Sequence, residues 1–120
     1  MQVRRREFES APGVHVTLRP AGHILGSSTV TLRLAAHGDQ RVVFSGDVGQ
    51  YDTPILRDPD GHGHADLVLI ESTYGDRRHR ERGDTLREFG EILRRAAHDG
   101  GNVLIPAFAV GRSQELLYEL

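Results

Sequence analysis

The sequence predicts a mixed α/β (α+β) fold, a sandwich with helices packed on a sheet and with strands dominating the first half. Three observations lead there. Residues 14–18 and 29–34 alternate apolar with polar side chains, the pattern of half-buried strands. Val42-Val43-Phe44, Leu67-Val68-Leu69-Ile70 and Val103-Leu104-Ile105 are short unbroken apolar runs, which read as strands buried on both faces. Leu86, Phe89, Leu93 and Ala96 recur at helical spacing. So many strands before the first helix argue against a purely parallel doubly wound sheet.

Taken in order, residues 4–12 are charged and then turn-like, and Arg4-Arg5-Arg6 reads as a solvated run. Val14, Val16 and Leu18 fall on one face of the first strand, with His15, Thr17 and Arg19 on the other. Residues 20–28 break the alternation with Gly22 and Gly26 and place His23 on a loop. Alternation resumes from Thr29, with Val30, Leu32 and Leu34 inward. Ala36-His37-Gly38-Asp39 reads as a turn, and Arg41 to Phe44 as the last strand of an antiparallel meander. Ser45-Gly46 gives that strand a sharp exit and leaves Asp47 at its end.

Residues 50–65, with two prolines and two glycines, read as a surface loop. The strand Leu67 to Ile70 ends in Glu71-Ser72-Thr73-Tyr74-Gly75, with Tyr74 packed under the loop. Asp76 to Gly83 is strongly charged, Asp84 is placed to cap a helix, and Gly100-Gly101 end it. A third apolar strand, 103–105, is closed by Pro106, and Gly111-Arg112 opens a second helix with Leu116, Leu117 and Leu120 apolar. The chain stops inside that helix without a cap.

Composition narrows the function classes. With 38 % apolar and 27 % charged residues, the 120-residue chain is globular rather than disordered. Absence of cysteine excludes disulfides and thiolate metal sites, and fits a cytoplasmic setting. No apolar run reaches transmembrane length, so no membrane association is expected. A net charge of -2 gives no global footprint for polyanions, so nucleic-acid contacts must come from local patches.

His23, Asp47 and Glu71 form the candidate site. Asp47 and Glu71 each follow an apolar strand, and strand ends on one edge of a sheet converge, so all three side chains can line one cleft. One imidazole and two carboxylates suit zinc, and equally suit acid–base chemistry without metal. His62-Gly63-His64-Ala65-Asp66 reads His-x-His-x-Asp, but it runs from loop into strand, and a polar loop explains it better than a zinc motif does. His15, His37 and His98 sit where histidine is ordinary: a strand face, a turn and a helix C-terminus. The run Asp76 to Arg82 reads as a solvated loop whose acids dilute its charge.

Four segments in order are more specific than any single residue: 21–27 (AGHILGS), 44–49 (FSGDVG), 70–75 (IESTYG) and 105–112 (IPAFAVGR). Together they resemble the metallo-β-lactamase superfamily, and within it the β-CASP RNA-processing branch, from about Val14 to the end. The resemblance implies part of an αββα sandwich over residues 1–100, entering a β-CASP domain at residues 101–120. It implies His23 and Asp47 as zinc ligands, with Asp47 bridging two ions. It also implies Asp47 and Glu71 in catalysis, and Ser72 and Arg112 at the substrate phosphate. The activity implied is hydrolysis of RNA phosphodiester bonds.

The family's main motif, His-x-His-x-Asp-His, should precede His23 and does not occur there. The chain is therefore expected to be an interior portion of such a nuclease. It should bind zinc weakly or not at all, be inactive alone, and self-associate through exposed apolar surface. The alternatives are a non-catalytic scaffold or RNA-binding subunit of the same branch, and a small-molecule metallo-hydrolase. The segments at 71–75 and 106–112 argue against the last.

Overall fold

The computed structural model describes residues 6–120. The Arg4-Arg5 part of the N-terminal basic run lies outside them. The chain forms two compact units that divide between Thr73 and Tyr74. The first is a five-stranded sheet: β1 (Arg6–Ala11), β2 (Val14–Pro20), β3 (Ser28–Leu34), β4 (Gln40–Phe44) and β5 (Leu67–Leu69), in sequential order. Pairing is antiparallel from β1 to β4, and β5 joins β4 in parallel.

β1 was not foreseen, because Phe8 is its one large apolar residue and gives no alternation to detect. Its pairing with β2, Phe8 opposite Val16, makes it a strand. The turn that follows needs Gly13 at φ 74, and the Gly13 N–H donates to the Glu9 carboxylate at 2.9 Å.

Register fixes the two faces. Val14, Val16 and Leu18 stand opposite Leu34, Leu32 and Val30, so the expected inward sets share one face. Phe8, Val42, Phe44, Leu67 and Leu69 extend it. The opposite face carries Thr17, Thr31, Arg33 and Val43. The β4–β5 loop lies over that polar face: Arg19 Nη1 donates to Gly61 O at 2.9 Å, and His62 Nδ1 meets Thr31 Oγ1 at 3.3 Å.

Among the described residues the buried apolar positions are Val16, Ala21 and Val43. The expectation of burial on both faces fails for β4 and β5. Val43 is buried, but its neighbour Phe44 is 38 % exposed, and Leu67, Val68 and Leu69 are 45–55 % exposed. β5 has β4 as its one ladder partner, so it is an edge strand and not a central one.

The second unit holds two helices, α1 (Arg82–Asp99) and α2 (Arg112–Glu119). Leu86, Phe89, Leu93 and Ala96 form a half-buried stripe on α1, as their spacing predicts. Asp84 is not the cap. α1 begins two residues earlier, and Asp84 pairs with Arg87 inside the first turn, where a carboxylate complements the helix dipole. Gly100, at φ 67, ends the helix, and the Gly101 N–H donates to Ala96 O at 2.9 Å.

Residues 103–105 form no strand. They have no ladder partner among the described residues, and Leu104 is 95 % exposed. α2 opens as expected at Gly111-Arg112. The Gln114 side chain accepts from the Gly111 N–H at 2.7 Å and donates to Ala109 O at 3.0 Å. No helix among the described residues is long and apolar enough to cross a membrane.

Candidate functional site

The site is built from two loops at one end of the sheet. In the β2–β3 loop the buried Ala21 donates its N–H to Ser27 O at 3.1 Å. The Ser27 hydroxyl accepts from the N–H groups of His23 (3.1 Å) and Ile24 (3.2 Å). Gly22 sits at φ 70, and a Cβ there would meet Arg57 O and Pro59 at 2.9 Å. This frame fixes the direction of an imidazole that is itself partly exposed.

In the loop after β4, Ser45 donates its N–H to Leu69 O at 2.9 Å, and Gly46 turns the chain at φ 56. The Gly49 N–H then donates to Ala21 O at 2.8 Å. A Cβ on Gly49 would lie 1.8 Å from Gly22 O, so the two backbones touch where no side chain fits. This contact brings His23 Nε2 to 3.9 Å from Asp47 Oδ2, with the side chains 46 % and 72 % exposed.

Glu71, at the end of β5, reaches back into the same place. Its Oε1 accepts from the Val48 N–H at 2.6 Å, and its own N–H donates to Ser45 Oγ at 3.0 Å. The Val48 N–H is the main reason its carboxyl is held below the ordinary 4.5; the Thr73 hydroxyl comes next, burial opposes, and the Thr73 N–H and the His23 charge add smaller shares. Ser72 is exposed, and Thr73, not Ser72, bonds Glu71. Arg112 belongs to the second unit, where its guanidinium pairs with Glu115 at 3.0 Å.

His62, His79 and His98 are engaged elsewhere. The His62 ring is tucked against the sheet, and burial, followed by the Arg19 charge, pushes its pKa down against the pull of Asp60. Asp66 accepts from the Arg41 N–H at 2.7 Å and donates its own N–H to Arg41 O, registering β5 against β4. The His-x-His-x-Asp stretch is thus a structural loop, as its position in the sequence suggests. Tyr74 is exposed, not packed under the loop, and meets His79 edge-on at 4.8 Å between centroids.

His23 and Asp47 suit zinc in donor type. In a tetrahedral site, bonds near 2.1 Å put neighbouring donors about 3.4 Å apart, so a 3.9 Å separation closes with a small side-chain rotation. The number of donors falls short. Among the described residues no group of three or more His, Asp or Glu side chains is gathered to hold a metal ion. Ser27, Ser45, Val48 and Gly49 went unnoticed as site residues in the sequence. A glycine two positions after Asp47 was the one available signal.

Two predictions follow from this geometry. Gly49→Ala should separate the loops and lower the thermal midpoint by several degrees, since the added methyl must displace backbone, whereas Gly61→Ala, with open space around it, should change little. A scan of the two variants against the parent checks this, and equal midpoints would refute it. For Glu71, the depressed native pKa makes a stabilising contribution that is complete above the ordinary 4.5 and is lost as pH falls through the lower native value. Urea midpoints below pH 4.5 should therefore fall less steeply in Glu71→Gln than in the parent.

No family model matches the chain. Curated proteins do. Ribonuclease TTHA0252 of Thermus thermophilus is 52 % identical over 101 residues, 83 % of this chain and 22 % of that protein. Transcription termination factor FttA of Lokiarchaeum sp. is 40 % identical over 113 residues, 92 % of this chain and 18 % of that protein. Cleavage and polyadenylation specificity factor subunit 3 of Dictyostelium discoideum is 32 % identical over 117 residues, 97 % of this chain and 15 % of that protein. The chain spans about a fifth of the length of the relatives it matches. Over most of its own length, the chain belongs to the β-CASP RNA-processing branch of the metallo-β-lactamase superfamily.

Proposed function

We propose that this chain supplies part of the catalytic region of a zinc-dependent nuclease that hydrolyses RNA phosphodiester bonds. His23 and Asp47 are the zinc ligands in this reading, with Asp47 shared between two ions, and Glu71 lines the site. Ser72 and Arg112 are assigned to substrate phosphate. The observation that carries the reading is the 3.9 Å approach of His23 to Asp47, in a chain similar to a ribonuclease at 52 % identity. Zinc supplies Lewis acidity and a nucleophilic water at neutral pH once its ligand set is complete. Two protein donors do not complete it, so the chain by itself is proposed to be inactive.

The open apolar face also supports self-association of the isolated chain. Leu67 to Ile70 form a continuous exposed apolar run along an edge strand, the arrangement that invites pairing with a second copy. Sedimentation at rising concentration should show an increasing mass, and a constant monomer mass would rule this out.

The nuclease reading is tested by transplantation. A chimera of ribonuclease TTHA0252 carrying this chain in place of its matching segment should cleave RNA, and should lose cleavage by a factor of about 100 or more with His23→Ala or Asp47→Ala. A folded but inert chimera favours the scaffold alternative. The isolated chain should bind zinc only in the micromolar range or weaker. Tight binding of two ions would overturn the incomplete-site reading.

A further inference from the structure

We propose that Glu71 is the positioning residue of Asp47, gripping the Ser45–Val48 turn at both ends so that the Asp47 carboxylate faces His23. The inference rests on the reading of His23 and Asp47 as metal ligands, and it gives Glu71 a task distinct from ligation or proton transfer.

The turn runs from the end of β4 through Gly46 and Asp47 to Val48. Its first residue, Ser45, is 6 % exposed and already tied to β5 by its N–H to Leu69 O. The Ser45 hydroxyl donates to Gly46 O at 2.6 Å and accepts the Glu71 N–H at 3.0 Å. At the far end, the Glu71 carboxylate accepts the Val48 N–H at 2.6 Å. One residue therefore holds both ends of a four-residue turn, by its backbone at one end and its side chain at the other.

Asp47 stands at the crest of that turn. Among the described residues its carboxylate has no hydrogen bond, and its close charged neighbour is His23. Its direction is therefore set by the backbone beneath it, and that backbone is set by Glu71. A carboxylate that accepts the Val48 N–H at 2.6 Å makes a short charge-assisted bond, which suits it to anchor the turn. The reach matters too: Glu71 lies two residues past β5, and the longer Glu side chain spans the gap back to Val48.

The test uses the whole chain and the variants Glu71→Ala, Glu71→Gln, Ser45→Ala and Asp47→Ala. It reads amide hydrogen exchange at Val48 and, separately, zinc affinity by titration with zinc alone. Glu71→Ala should speed exchange at Val48 by about tenfold or more and weaken zinc by a similar factor. Glu71→Gln keeps an acceptor oxygen and should restore both to within about threefold of the parent. Ser45→Ala cuts the other end and should speed exchange at the Glu71 amide while weakening zinc. It carries the same expectation if Glu71→Ala loses the folded spectrum.

If Glu71→Gln binds zinc as poorly as Glu71→Ala, the charge itself is the ligand and positioning is refuted. Unchanged zinc affinity in a Glu71→Ala chain whose Val48 amide has been freed also refutes it. If instead Asp47→Ala leaves zinc affinity unchanged, the ligand reading fails, and with it the role of the turn that Glu71 grips, whatever the exchange data show.

Discussion

Everything at this site depends on a place where two backbones meet without side chains between them. Gly49 gives its N–H to Ala21 O and lies so close to Gly22 O that a single methyl would not fit. The β2–β3 loop brings His23, the β4–β5 loop brings Asp47, and neither loop is regular structure. Loops are normally variable in position because few contacts hold them. Here the glycine contact, the doubly accepting Ser27 hydroxyl and the Glu71 grip remove that freedom. The result is a tightly connected arrangement at one end of a sheet whose own core is small.

That contrast between a firm site and a thin support has an energetic side. The sheet buries few apolar residues completely, and its apolar face leaves Phe8, Phe44, Leu67 and Leu69 more than a third exposed. Fully burying one such side chain from full exposure is worth about 1.5–3 kcal/mol, so what these partly exposed ones leave unclaimed is a sizeable fraction of the net stability of a small domain. Hydrogen bonding does relatively more of the holding near the site, where Ser45 and Thr29 are buried polar residues. Such bonds give direction, whereas apolar burial gives mostly cohesion.

Much of this was legible from residue order. The alternation at 14–18 and 29–34 grouped the two apolar sets on one face, because a period of two leaves one register that aligns them, although of those six residues only Val16 is buried. His23 and Asp47 were legible because glycine and serine marked sharp exits, and sharp exits put side chains at strand ends. Glu71 was legible as a member of the site, but its bond to Val48 was not, since a backbone N–H has no letter in the sequence. β1 escaped for the opposite reason: its strand character lies in pairing with β2 and not in its own composition. The exposure of β5 and the absence of a strand at 103–105 share one cause. An apolar run predicts burial only if a partner layer exists, and apolar letters alone do not say where that partner is.

Electrostatics ties the site to the kind of substrate proposed for it. Glu71 is held ionised below its ordinary range, so at neutral pH the site presents its negative charge. A phosphodiester brought within about 4 Å of one such charge is repelled by about 1 kcal/mol even in water, and by more as water is excluded. Within the second unit, Arg77, Arg80 and Arg82 are paired with Asp76, Glu88 and Glu119. The exposed Arg77–Asp76 and Arg80–Glu88 pairs are worth only about 0–1 kcal/mol each, so a polyanion competes for them easily. For a phosphate to approach Asp47, positive charge must sit between them, and in this reading the approach of His23 to Asp47 marks where that charge belongs.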